Sequence, residues 1–356
     1  MSRDFNDSFT PDYRNIEMAA RNLVPPRLPL YEHMISVEMM ESVLNKKFAY
    51  LSEGDYSDKL EFCRNYCRFF LEMGYDTVSF ECCIGPVMPG SGSLGQHVPG
   101  VIKNMDDFLK YPWDEIPDIY FQKNSEMFKA LKEVMPDGMK AVGGAGNGIF
   151  ECVQDITGYM DLCYIRDDDF ELYKKLFKAV GKTNLAIWTR LLKEFGELFC
   201  VSRFGDDLGF KTNTLISRDD ICEFVIPYYR PIVDLSHSYG KPFLLHSCGN
   251  LFNVFEDIIS EGKIDAKHSN EDVIAPFSIW VDRYGDRIGN FGGIDTDALC
   301  TLSESEIKEY ILDVLKLTYG KGGIAFGSGN SIPDYVPEAG YLAMVRTIRE
   351  YREATK

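Results

Sequence analysis

An α/β fold, a (β/α)8 TIM barrel, is what the sequence predicts, and three observations carry it. Eight apolar, β-rich segments alternate with helical patterns, the chain is long enough for one such barrel, and unusual polar residues collect at the C-terminal ends of the segments. The strand segments are 28–33, 76–83, 139–146, 198–207, 242–249, 264–269, 287–294 and 323–330. Helical patterns lie between them, at 126–134, 168–193, 219–239, 251–260, 303–317 and 338–351. Ser303 followed by Glu306, and Ser217 followed by Asp220, have the spacing of a helix-starting capping box. Eight strands separated by helices require parallel crossovers, and closing them gives the barrel; an open doubly wound sheet is the competing topology. Residues 1–20 read as a loose polar arm, and 21–356 as a single barrel domain.

Composition narrows the function. The 356 residues carry 38 Lys+Arg against 55 Asp+Glu, a formal net charge of -17, with 45% apolar and 13% aromatic residues. Such a chain buries a large core and repels phosphate backbones, and its basic residues form only isolated pairs such as Lys46-Lys47, so no nucleic-acid role is expected. No apolar run approaches the 18 to 20 residues that cross a bilayer, and the polar start Met1-Ser2-Arg3-Asp4 is not a signal peptide. Ten cysteines without a C-x-x-C pair are expected to be reduced thiols in a cytoplasm. The run Gly143-Gly144-Ala145-Gly146-Asn147-Gly148 looks like a dinucleotide fingerprint only superficially and reads better as a loop beside the barrel mouth.

Barrel enzymes build their sites on the C-terminal face of the strands. At those ends stand Glu32 and His33, Glu81 and Cys82, Asp206 and Asp207, His246 and Cys248, His268, Asp295, Ser328 and Asn330. His246-Ser247-Cys248-Gly249 is the sharpest local signal. Residues i and i+2 on a strand point the same way, so an imidazole and a thiol converge, and zinc accepts both nitrogen and thiolate sulfur. Glu81, Glu151, Asp207, His268 and Asn330 have the chemistry to complete such a site as a third metal ligand. The competing structural reading is a His and a Cys packed in a metal-free barrel. Asp206 and Asp207 point to opposite sides of their strand, so one of them is a candidate to enter the site, where it would orient a histidine, act as acid or base, or bind a polar substrate group; helix or loop capping is the competing structural reading. His268 is a further acid–base candidate; His33, Ser328 and Asn330 are candidates for substrate contacts.

Gly205-Asp206-Asp207-Leu208-Gly209-Phe210, Leu215-Ile216-Ser217, Phe224-Val225-Ile226-Pro227, His246-Ser247-Cys248-Gly249, Gly292-Gly293-Ile294-Asp295 and Gly327-Ser328-Gly329-Asn330-Ser331-Ile332-Pro333 together resemble the uroporphyrinogen decarboxylase superfamily, with Arg27-Leu28-Pro29-Leu30-Tyr31 similar to its first strand. The resemblance runs from about residue 21 onward and implies a (β/α)8 barrel. True decarboxylases of the family carry an Arg-Gln-Ala-Gly-Arg segment where this chain has Tyr31-Glu32-His33-Met34-Ile35. The second branch, the corrinoid-dependent methyltransferases, binds zinc through His-x-Cys plus a distant cysteine. His246 and Cys248 match the first two ligands, and Asn330 stands where the distant cysteine would be.

The resemblance therefore implies a methyltransferase that passes a methyl group between a small methylated substrate (an ether, thiol or amine) and a corrinoid. The corrinoid would arrive on a partner protein, because the chain has no Asp-x-His-x-x-Gly motif, and barrels of this superfamily often pair as homodimers. A carboxylate in the ligand set favours an oxygen-bearing methyl donor. A cofactor-free decarboxylase-like lyase and a non-catalytic barrel that binds a tetrapyrrole or corrinoid are the alternatives.

Overall fold

The computed structural model describes residues 9–95 and 98–355. Seven parallel strands, β1 (Val78–Cys83), β2 (Ala141–Gly146), β3 (Phe199–Gly205), β4 (Phe243–His246), β5 (Ala266–His268), β6 (Gly289–Ile294) and β7 (Ile324–Ser328), pair in sequence order. Long helices return the chain over the outer face, among them Tyr56–Met73, Ile116–Val134, Phe170–Phe195, Glu304–Thr318 and Glu338–Ala354. The main hydrophobic core lies between those helices and the sheet.

The segment expected as the first strand, 28–33, forms no ladder. It lies beside β7 and touches it through one parallel bridge, Leu30 to Phe326, and a second bridge joins the residues that follow each segment, Ile35 to Ile332. Side chains explain the interruption. Between the bridges, Ser328 N donates to the Glu32 carboxyl (3.0 Å) instead of to a backbone carbonyl. On the β1 side, Tyr66 OH donates to the Ser79 carbonyl (2.7 Å), and the His33 carbonyl accepts from Arg203 (2.9 Å) and from the Ser79 hydroxyl. Polar side chains thus occupy the backbone groups that an eighth ladder would use. Among the described residues the sheet has seven strands, curled so that His33 meets β4.

The expected arm is not loose over its described part. Arg14–Ala20 is a helix whose Ile16, Ala19 and Ala20 are fully buried. They join Val142, Val201, Leu244, Ala266, Phe291 and Ala325 in a small cluster inside the curl of the sheet. Residues 1–8 lie outside the described residues. The expected helix at 219–239 is divided into a short turn, a widened π turn (Ile221–Val225) and Ile226–Ser238. Pro227 has no N–H to give the carbonyl four residues back, which accounts for the wide turn.

The glycine run is also not a mouth loop. Gly143 through Gly146 are fully buried in β2. A Cβ on Gly143 would lie 1.8 Å from the Phe80 carbonyl oxygen, and one on Gly144 would lie 2.3 Å from the Trp188 ring. These glycines serve close packing of strand on strand and strand on helix. Gly144, at φ +144°, is doubly constrained. Gly144→Ala is expected to cost about 2–3 kcal/mol through overpacking and backbone strain, read from urea denaturation. A loss under about 0.5 kcal/mol, the range of neutral surface changes, would contradict this packing role.

Candidate metal centre at the barrel mouth

Strand parity selects what points inward. Val201, Arg203 and Gly205 on β3, Leu244 and His246 on β4, and Ala266 and His268 on β5 share one face, and continuing two residues further reaches Asp207 and Cys248. Register does the rest: Gly205 pairs with His246, and His246 with His268. Gly205 leaves room beside the imidazole, since a Cβ there would sit 3.5 Å from His246 Cδ2 and 3.9 Å from His33 Nε2.

The imidazoles form a directed chain. His268 Nε2 lies 3.0 Å from the Ser328 carbonyl oxygen, which can only accept, so Nε2 carries the proton. His268 Nδ1 is then bare and accepts from His246 Nδ1 at 2.7 Å. That leaves His246 Nε2 with a free lone pair, directed at Cys248 Sγ (3.4 Å) and Asp207 Oδ1 (3.6 Å). Burial keeps both rings neutral, holding His246 well below its ordinary value and His268 down to about 3. His33 stacks on His246 at 3.7 Å with an interplanar angle of 9°, and its buried Nδ1 has no partner.

Asp207, His246 and Cys248 bring one ligand atom each within 4.8 Å of one another, as do His33, His246 and His268. The first set fits zinc. Bonds of about 2.0–2.3 Å at tetrahedral angles put neighbouring ligand atoms roughly 3.3–3.6 Å apart, which the separations of His246 Nε2 from Cys248 Sγ (3.4 Å) and Asp207 Oδ1 (3.6 Å) match. The second set fits less well, because the short contact between His246 Nδ1 and His268 Nδ1 already consumes both lone-pair directions. Asp207 is also held by Cys248 N (2.8 Å), so the carboxylate and the thiol are fixed to each other. Burial and Asp207 together push the Cys248 thiol well above its ordinary value, so proton loss there calls for a cation.

Several expectations change here. Glu81 is not brought to the thiol; it pairs with buried Arg203 (2.7 Å), which also holds Tyr31 OH (3.0 Å) and the His33 carbonyl. Glu151 accepts from Asp207 N (3.2 Å) and Asn147 Nδ2 (2.9 Å), standing behind the ligand set rather than in it. Burial first, and then Asp207 and Asp206, push its carboxyl well up.

Asp206 turns away from the site. Its carboxylate accepts from the N–H groups of Ile149 (2.9 Å), Phe150 (3.0 Å) and Glu151 (2.8 Å) and from Tyr229 OH (2.6 Å), so it caps the helix Ile149–Thr157 instead of acting as a catalytic group. The Ser328 side chain is on the outer face, bonded to Glu32 and to the Asn330 carbonyl, and is not available for substrate. Asn330 does reach the site. Ser331 N donates to its Oδ1 (2.8 Å), which fixes the amide so that Nδ2 faces Cys248 Sγ (3.4 Å) as a hydrogen-bond donor and not as a ligand. Ser269 Oγ is a second donor to that sulfur, at 3.7 Å.

Sequence reasoning passed over Arg203 and the role of Glu32. Parity on β3 was the available signal for Arg203, two residues before Gly205. Beyond Asn330 the mouth opens into a cavity of about 280 Å³ whose walls include Lys211, Glu271, Asp295, Asp297 and Tyr335.

Burial pushes the Glu32 carboxyl up to about 8. A folded state that keeps this proton binds more protons than the unfolded chain between about 4.5 and 8, so this group's contribution to stability is full below that window and falls as pH rises through it. Wild type is therefore expected to lose stability relative to Glu32→Gln between about pH 6 and 8, read as the difference in urea midpoints. A difference that does not change with pH would contradict it.

No curated protein matches the sequence. Among solved structures, the chain is similar to a methyltransferase from Methanosarcina mazei, with a TM-score of 0.70 and 15% identity over 95% of this chain and 98% of that one. It is also similar to GH5_18 from Streptomyces cattleya, with a TM-score of 0.50 and 12% identity over 93% of this chain and 82% of that one. At these identities the likeness is one of fold. No helix among the described residues is long and apolar enough to cross a membrane. The family model for uroporphyrinogen decarboxylase (URO-D) matches residues 96–351, more than half of the chain, and the chain belongs to that family.

Proposed function

We infer that this chain is a zinc-assisted methyltransferase that moves a methyl group between a small methylated substrate and a corrinoid carried by a partner protein. One observation carries the reading: the proton order from Ser328 through His268 to His246 leaves a bare Nε2 at zinc-ligand spacing from Cys248 Sγ and Asp207 Oδ1. In this reading the 28–35 segment takes the eighth position of a (β/α)8 barrel, and the reduced thiols suit a cytoplasmic enzyme. Similarity in fold to a methyltransferase supports the reaction class.

Asp207, His246 and Cys248 would hold the ion. When bound, zinc supplies Lewis acidity to the heteroatom that carries or receives the methyl group. The chain does the rest. His268 orients the His246 ring, as outer partners of metal-bound histidines do. Asn330 and Ser269 donate to the sulfur and withdraw charge from it. The cavity beyond Asn330 admits the substrate, and its three carboxylates, Glu271, Asp295 and Asp297, disfavour a polycarboxylate such as a tetrapyrrole acid.

The test is methyl transfer from a series of small methyl ethers, thioethers and methylamines to a reduced corrinoid protein, followed by the absorbance change of cobalt on methylation. Turnover with at least one donor is expected in the zinc-loaded protein, and Cys248→Ser should lower it at least about a hundredfold. Turnover that survives Cys248→Ser would overturn the assignment.

A further inference from the structure

Ser328 stands behind both donors of the His-x-Cys pair. Its carbonyl accepts from His268 Nε2 (3.0 Å) and so orients His246. Its hydroxyl lies 2.6 Å from the carbonyl oxygen of Asn330, whose carboxamide donates to Cys248 Sγ. Ser328 is itself held by Glu32, with N to Oε1 at 3.0 Å and Oγ to Oε2 at 2.5 Å. Glu32 is buried with Tyr75 and Tyr341, whose hydroxyls are 3.0 Å apart, and no cation pairs with it among the described residues.

Counting protons fixes the state of this group. The Ser328 hydroxyl has one proton and two close oxygen neighbours, Glu32 Oε2 and Asn330 O. If Glu32 were ionised, both neighbours would be acceptors only, and one short contact would hold no proton. As an acid, Glu32 donates to Ser328 Oγ, which donates to Asn330 O, and every contact is filled. Burial without a cation works in the same direction.

We propose that Glu32, as a neutral carboxylic acid, is a positioning residue for the metal centre: it fixes Ser328, and through that one residue sets both the His246 imidazole and the Cys248 sulfur. The link to zinc rests on the metal reading above; the link to the imidazoles does not. It also gives the broken ladder between 28–33 and β7 a purpose, since the Glu32 side chain takes the place of a backbone acceptor there.

Three variants and three readouts test this. The metal-free readout is the pair of imidazole N–H proton resonances of His246 and His268; the metal readouts are zinc affinity by chelator competition and the thiolate-to-metal band of the cobalt(II)-substituted protein. Glu32→Gln can still accept from Ser328 N and donate to Ser328 Oγ, so the imidazole resonances and the cobalt band should be retained and zinc affinity should stay within about twofold of wild type. Glu32→Leu should lose the imidazole resonances to solvent exchange and weaken zinc about 10- to 100-fold, the cost of an outer partner. Ser328→Ala keeps its backbone carbonyl, so it should retain the imidazole resonances while shifting the cobalt–thiolate band and weakening zinc about tenfold.

A folded Glu32→Leu with wild-type resonances and affinity would overturn the proposal, as would a Glu32→Gln as impaired as Glu32→Leu. If Glu32→Leu does not fold, Ser328→Ala decides, and a wild-type cobalt band there overturns it. A wild type that takes no zinc overturns the metal reading instead, and the imidazole resonances alone then decide the role of Glu32.

Discussion

Zinc affinity is expected to fall by more than about a hundredfold in Cys248→Ser and in His246→Ala, and by about 10- to 100-fold in His268→Ala, measured by chelator competition. The ranking follows from contact. Cys248 Sγ and His246 Nε2 face each other at 3.4 Å with their lone pairs converging, so removing either takes away a donor atom. His268 touches no ligand position; it accepts the proton of His246 Nδ1 and thereby keeps Nε2 bare and aimed. Without it the ring can turn or take the other tautomer, which costs orientation and not a bond. Equal losses in all three variants would mean that His268 is itself a ligand, as the alternative set with His33 would have it.

The neighbouring carboxylates Asp206 and Asp207 are expected to separate cleanly. Asp206→Ala should destabilise the metal-free protein by about 3–5 kcal/mol, because it strands three backbone N–H groups and the buried Tyr229 hydroxyl. Burial raises Asp206 to about 6 even with those donors present, so the carboxylate near neutral pH depends on all of them. Asp207→Ala removes an acceptor for Cys248 N at the open mouth and should cost about 1 kcal/mol, while lowering zinc affinity at least tenfold. Urea denaturation and zinc titration of the two variants separate stability from metal binding. A stable Asp206→Ala that fails to bind zinc, beside an Asp207→Ala that binds normally, would exchange the two roles.

Much of this fold was legible because strand and helix periods are local. Seven of the eight expected strand segments contain strands of the sheet, and Asp207, His246, Cys248 and Asn330 at or just beyond strand ends come together at one mouth. The misplaced elements have non-local causes. The 28–33 segment has the apolar pattern of a strand, but Glu32, Tyr66 and Arg203 take the backbone groups its ladders need, and those partners are distant in sequence. The polar residues before position 20 hid Ile16, Ala19 and Ala20, whose burial depends on strand residues far along the chain, such as Val201, Leu244 and Ala325.

In the site, His246 and Cys248 were readable from i, i+2 parity alone. Parity also separates Asp207 from Asp206, but only once the strand's inner face is fixed by Arg203 and Gly205. Glu81 was misjudged as a ligand because Arg203, which claims it, lies on another strand. Asn330 stands where the resemblance placed it, yet the bond from Ser331 N decides which end of its amide meets the sulfur, a detail that only coordinates supply.

The most direct measurement is zinc K-edge X-ray absorption on the zinc-loaded wild type. One sulfur at about 2.3 Å with nitrogen and oxygen neighbours at about 2.0–2.2 Å is expected for Asp207, His246 and Cys248 with one open position. A shell with no sulfur would place the ion away from Cys248 and contradict the metal centre described above.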